Sequence, residues 1–133
     1  MGLFSKMFGD SDNKDTSSSA IAWKDLKDIK QLDDIIQESA ETPAIIFKHS
    51  TRCSISRMAL KNFEREYNIE EGKATPYFLD LLEHRDISNE IAQIFHVQHQ
   101  SPQLIVIKDG AAVYNTSHSD IDAQKVKERL QAV

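Results

Sequence analysis

The sequence predicts an α/β fold with a central mixed sheet and helices on both faces. Three observations carry that reading. Two short apolar runs, Ala44-Ile45-Ile46-Phe47 and Leu104-Ile105-Val106-Ile107, have the unbroken hydrophobicity of strands covered on both faces. Ile55, Met58, Ala59 and Phe63 form one stripe of an amphipathic helix after the first run. Asp109-Gly110 lies between two strand-like runs, where a two-residue hairpin turn needs positive φ at both positions.

The elements follow in order. Asp10 to Ser19 reads DSDNKDTSSS, polar and without periodicity, so residues 1–19 are expected to be a flexible tail and 20–133 one domain. A short strand is expected around Ile21 to Trp23. Leu32, Ile35 and Ile36 mark a helix ending near Ala40. The strand from Ala44 leads into His49-Ser50-Thr51-Arg52-Cys53, and the helix after it ends before Gly72. Tyr77 to Leu82 reads as a second buried strand. Ile91, Ile94 and Phe95 suggest a third helix with Ser88 as its N-cap. Gln103 to Lys108 and Ala111 to Asn115 form the hairpin. Ser119-Asp120-Ile121-Asp122 resembles a capping box, and Ala123, Val126, Leu130 and Val133 repeat at helical spacing behind it. The order is β-α-β-α-β-α-β-β-α, the element order of thioredoxin. Strands separated by helices are expected to pair in parallel, with the hairpin as an antiparallel edge.

Composition narrows the function classes. The chain has 133 residues, 40% of them hydrophobic and 28% charged, and a net charge of −5. Without clustered Lys and Arg it does not read as a nucleic-acid binder. No stretch approaches the ~20 apolar residues of a membrane span. Leu3, Phe4, Met7 and Phe8 are too few and too interrupted for a signal-peptide core, and Lys6 breaks the myristoylation pattern. The amphipathic N-terminal nonamer is read as a frayed end. One cysteine excludes an intrachain disulfide. The expected compartment is the reducing cytoplasm, where a free thiol persists. His84, His96, His99 and His118 show no ligand spacing, and a single cysteine cannot close a zinc site. No bound metal or cofactor is expected.

Cys53 lies between a buried strand and an amphipathic helix. The first N–H groups of a helix lack intrahelical acceptors, and together with the helix dipole they favour an anion. A thiolate there is stabilised over the thiol, so the cysteine is expected to titrate below the free-thiol range. Adjacent Arg52 would act in the same direction if its side chain stays near. Ser50, Thr51, Arg52 and Ser54 make a polar surround that fits a reactive thiol better than a buried, inert one. Ser56 follows Cys53 by about one helical turn, where its hydroxyl can donate to a thiolate but cannot form a disulfide. A helix-surface serine is the other reading. His49 admits a Cys–His pair, but no orienting acid or oxyanion donors can be placed, so it reads as a polar strand end. Ala59 stands where the C-x5-R phosphatase loop needs arginine. Pro102 precedes a strand, where a missing N–H does little harm. X-Pro bonds in folded proteins are cis in about 5–6% of cases, which predicts trans, whereas the thioredoxin order predicts a cis-proline loop here.

The run Phe47-Lys48-His49-Ser50-Thr51-Arg52-Cys53-Ser54-Ile55-Ser56, with Met58-Ala59-Leu60, resembles the YtxJ-type monothiol bacilliredoxin family of the bacillithiol system. Leu79-Asp80-Leu81 with Arg85 and Ile87-Ser88, His99-Gln100-Ser101-Pro102-Gln103, and Ser117-His118 with Ile121 resemble it too. The resemblance runs from about Trp23 to the C-terminus. It implies a thioredoxin-like fold, a nucleophilic Cys53 and a cis Pro102; the candidate catalytic residues are then Cys53, Ser56 and Arg52, and the candidate substrate contacts Thr51, Ser101 and Pro102. Family members carry proline after the cysteine, where this chain has Ser54. The implied activity is that of a monothiol disulfide reductase, which removes a low-molecular-weight thiol such as bacillithiol, its co-substrate, from S-thiolated client proteins. A second thiol or a partner reductase then regenerates Cys53. Two other readings stay open at this point: a redox-inert thioredoxin-fold binding module, and an iron–sulfur carrier like the monothiol glutaredoxins.

Overall fold

The computed structural model describes residues 21–133. The expected tail over 1–19, with its apolar nonamer, lies outside the described residues. The elements are β1 (Lys24–Asp25), α1 (Gln31–Glu38), β2 (Ala44–His49), α2 (Ser54–Glu66), β3 (Thr75–Asp80), α3 (Arg85–Ile94), β4 (Gln103–Lys108), β5 (Ala111–Ser117) and α4 (Ala123–Ala132), with a 3-10 turn at His118–Asp120. The sheet order is β1-β3-β2-β4-β5.

Alternation along β2 sorts the core into two layers. Ala44 and Ile46 face α1 and α3 and pack with Leu32, Ile35, Ile87, Ile91 and Ile105. Ile45 and Phe47 face α2 and α4 and pack with Ala59, Phe63, Leu104, Val106 and Val126. Each fully buried isoleucine or phenylalanine contributes roughly 1.5–3 kcal/mol. Because both layers close over β2, all six of its residues are buried, including Lys48 and His49.

Four local expectations are corrected. The first strand lies at Lys24–Asp25, because Ile21 and Trp23 turn into the α2 layer, where Trp23 Nε1 donates to Glu64 at 2.8 Å. Ser88 is inside α3 and His84 is its N-cap, because the backbone already turns at Asp80, whose carbonyl accepts from His84 N–H. Ser119 falls in the 3-10 turn, and Asp122 caps α4 by accepting from the Gln124 and Lys125 N–H groups. The fourth concerns direction. β1 and β2 are parallel to β3, but β4 runs antiparallel to β2. After the ten-residue α3, the segment 95–102 returns the chain to the sheet end where β3 left it. β4 therefore starts there and runs the other way. The hairpin is as expected, with φ of 55° at Asp109 and 77° at Gly110.

Candidate active site

This reversal gathers the site. Lys48 pairs with Leu79 of β3 and Gln103 of β4, and Gln103 pairs with Ser117 of β5. The chain leaving β2 and β3, the chain entering β4 and the chain leaving β5 therefore share one end of the sheet. Cys53, Ser101-Pro102 and His118 belong to those connections.

Cys53 is the N-cap of α2, with extended backbone at φ −104° and ψ 122°. Its own N–H donates to the Ser50 carbonyl at 3.2 Å, and its carbonyl accepts from Arg57 N–H at 3.0 Å. No side chain caps α2, in contrast to Asp122 at α4. The opening turn of α2 thus has N–H groups free of a side-chain acceptor beside a half-buried sulfur.

Ser56 is fully buried, and its hydroxyl runs back into the loop rather than to the sulfur. It accepts from Ser50 N–H at 3.0 Å and lies 2.8 Å from His49 Nδ1. One hydroxyl therefore ties the end of β2 and the start of the loop to the first turn of α2. With Nδ1 accepting, the Ser56 O–H donates to a neutral imidazole. Burial holds His49 below the usual histidine range; Arg57 adds to this, and Asp80 and Glu64 oppose it. His49, read from sequence as a polar strand end, is thus part of the scaffold of the cysteine loop.

Thr51 and Arg52 are exposed. Among the described residues Arg52 has no hydrogen bond or ion pair, and it is Arg57 that grips the loop, donating from Nη1 to the Thr51 carbonyl at 3.0 Å. Its signal was available in the spacing: Arg57 is one helical turn beyond Cys53, the residue whose carbonyl its own N–H reaches.

The Ser101–Pro102 peptide bond is cis. Pro102 is buried, and its carbonyl accepts from His118 N–H at 3.0 Å. His118 adopts φ 55°, a left-handed conformation sparsely used by residues with a side chain. Among the described residues the Ser101 backbone N–H and C=O have no partner. A groove of about 350 Å³ is lined by Ser54, the residue after Cys53, with Ile55, Met58, Asn62 and His118. Ile55 and Met58 are exposed there, 54% and 61%, although they belong to the apolar stripe that suggested the helix.

Behind the Ser101-Pro102 segment, on the α3 side of the sheet, is a second polar group. Lys48 Nζ lies 3.1 Å from His99 Nδ1, and Ser88 Oγ lies 3.3 Å from the same nitrogen. The Gln103 side chain donates to the Gln98 carbonyl at 2.8 Å and accepts from Gln100 N–H at 3.3 Å. Among the described residues no group of His, Cys, Asp and Glu could hold a metal ion, and no helix is long and apolar enough to cross a membrane.

Known proteins share this fold. The family model described as monothiol bacilliredoxin BrxC matches residues 24–126. A solved structure of a thioredoxin-fold protein, proposed to be an oxidoreductase, is 30% identical with a TM-score of 0.68, covering 80% of this chain and 91% of that one. Thioredoxin from Malassezia sympodialis is 17% identical with a TM-score of 0.63, covering 88% of this chain and 95% of its own. Thioredoxin f from spinach chloroplast is 14% identical with a TM-score of 0.61, covering 88% and 96%. The two thioredoxins share the fold. The family match spans the central strand, the cysteine loop and the proline segment together, and the chain, a thiol oxidoreductase, belongs to the monothiol bacilliredoxin family.

Proposed function

We propose that Cys53 removes a low-molecular-weight thiol of the bacillithiol type from mixed disulfides on client proteins. The observation that carries this is the setting of the chain's single cysteine: it is half-buried at an uncapped helix start, with a buried serine where a second thiol would stand. The helix N-terminus favours an anionic sulfur, the attacking species in exchange. The Cys53 thiolate attacks the sulfur of the small thiol. The Cys53–small-thiol bond forms as the client's disulfide bond breaks, and the client sulfur leaves as a thiolate that takes a proton from water. A second small thiol, as thiolate, then attacks the mixed disulfide on Cys53. It leaves joined to the first as the symmetrical small-thiol disulfide and regenerates the Cys53 thiolate, so one free thiol is oxidised for each client thiol reduced.

The proline segment supports a role in holding the client. With the Pro102 carbonyl taken by His118, the unpaired Ser101 backbone is the part able to pair with an extended client segment, as a strand edge does. Arg52 and Thr51, exposed in the two positions before Cys53, are the side chains assigned to a charged or polar small thiol.

Mass spectrometry of the full chain after incubation with the disulfides of bacillithiol, glutathione and cysteine tests the reading. The expected product is a one-to-one mixed disulfide on Cys53, formed preferentially with bacillithiol and released by excess free thiol. No adduct with any of the three, together with undiminished client reduction by Cys53→Ala, overturns it.

A further inference from the structure

Lys48 is fully buried and has no carboxylate partner among the described residues. Alternation along β2 puts it on the face of Ile46, where the core is otherwise apolar. A buried cation is costly, and an apolar side chain of similar volume serves packing as well or better. What Lys48 holds is specific. An ammonium only donates, so the His99 Nδ1 that it reaches must carry a lone pair, and the ring is neutral. His99 lies three residues before Pro102, in the segment that returns the chain to the site. Ser88 from α3 meets the same nitrogen, and Gln103 from β4 holds the backbone on either side of His99. Three buried side chains, one from each surrounding element, thus fix a segment whose residue His99 is itself exposed.

We propose that Lys48 is a positioning residue of the exchange reaction: through His99 it holds segment 96–102 so that the Ser101 backbone is presented beside Cys53 to the incoming mixed disulfide. The proposal rests on the disulfide-exchange reading of Cys53. It has a consequence in acid. The charged groups acting on His99 are Lys48 from β2 and Arg85 from α3, both cationic, while Ser88 and Gln103 are neutral. Desolvation of the ring where its Nδ1 meets the buried Lys48 side chain, and then these two cations, hold His99 below its usual range. When His99 is finally protonated, its Nδ1 can no longer accept from Lys48, and two positive charges face each other. The hold on Ser101 is then lost.

The test uses the full chain and a cysteine peptide in mixed disulfide with bacillithiol. Exchange kinetics are measured from about pH 4 to 8, a range that reaches below the ordinary histidine value of about 6.5 because His99 is held lower, alongside the rate of Cys53 alkylation by iodoacetamide. Dividing the first by the second, for each variant, removes the ionisation of Cys53 itself. Lys48→Met is expected to raise KM about tenfold with a smaller change in kcat, the scale of losing one hydrogen bond from a charged donor. His99→Gln keeps a neutral acceptor for Lys48. It is expected to hold KM near the natural value at neutral pH and to abolish the rise in KM that the natural protein shows in acid. An unchanged KM in Lys48→Met, or an acid rise that persists in His99→Gln, overturns the positioning role alone; if Lys48→Met does not fold, His99→Gln decides. A natural protein that alkylates but does not exchange overturns the reading of Cys53, and this proposal with it.

Discussion

His49 Nδ1 and Ser56 Oγ lie 2.8 Å apart, joining the last residue of the central strand to the first turn of the helix that Cys53 opens. The same oxygen accepts from Ser50 N–H. Ser56→Ala therefore leaves two buried polar groups without a partner. The expected loss is about 1–3 kcal/mol, read as a lower urea midpoint at unchanged slope. Disulfide exchange should slow as well, because the loop between them carries Cys53, the proposed nucleophile.

Ser56→Cys tests the position differently. Residues one helical turn apart are near enough for a disulfide, so the variant should form an internal Cys53 bridge on oxidation. Mass spectrometry should show a two-hydrogen loss in place of a small-thiol adduct, and turnover that depends on the small thiol should fall. The new sulfur would have to turn away from His49 to bond, so the oxidised form should be less stable than its loop length alone suggests.

The neutral state of His49 has a signature in acid. Burial holds it below the usual range, so the folded protein resists taking a proton that the unfolded chain accepts. Stability from this residue is fully present above the free-histidine value of about 6.5 and is lost as pH falls through the lower folded value. Urea midpoints at about pH 7 and pH 5 should therefore differ more in the natural protein than in His49→Asn, whose side-chain oxygen accepts without titrating.

Much of this was legible in the chain. Ala44 to Phe47 and Leu104 to Ile107 announce buried strands by composition, and Asp109-Gly110 announces its turn by backbone requirement. Cys53 was legible because strand and helix patterns meet there. The direction of β4 was not, because it depends on how far α3 and segment 95–102 travel, which no local pattern encodes. Ser88 misled for a related reason: a serine before a helical stripe looks like a cap, and only tertiary packing brings it to His99. Ser56 was placed at the right turn, but which way a hydroxyl points is decided by competing partners, here His49 and Ser50. Lys48 was readable in principle, since period-two alternation puts it on the face of Ile46.

Tyr77 offers a control far from the cysteine. Its hydroxyl donates to Glu38 Oε1 at 2.8 Å, at the end of α1 remote from Cys53. Burial and this bond push the phenol well above its usual range. Tyr77→Phe should cost about 1–2 kcal/mol in denaturant unfolding and leave the exchange rate of Cys53 unchanged. A change in exchange would mean that stability, rather than site geometry, governs the rates measured on the other variants.

Lys48 should show the opposite balance. Its burial lowers the ammonium to about 8, from the usual 10.5. Between those values the unfolded chain holds a proton that the folded protein has given up, so raising the pH through this window stabilises the fold. Below it, the charged form is buried at a cost that His99 offsets only in part. Lys48→Met removes that cost and fills the same space with apolar atoms. The variant should be as stable as the natural protein at neutral pH, or more so by about 1–4 kcal/mol, and should lack the gain in stability between about pH 8 and 9.5. Urea unfolding at these pH values, paired with the KM measurement, separates two accounts. If Lys48 served packing alone, Lys48→Met, which fills the same space, would leave KM unchanged. If it holds the Ser101 segment for the reaction, stability is kept or gained while KM rises.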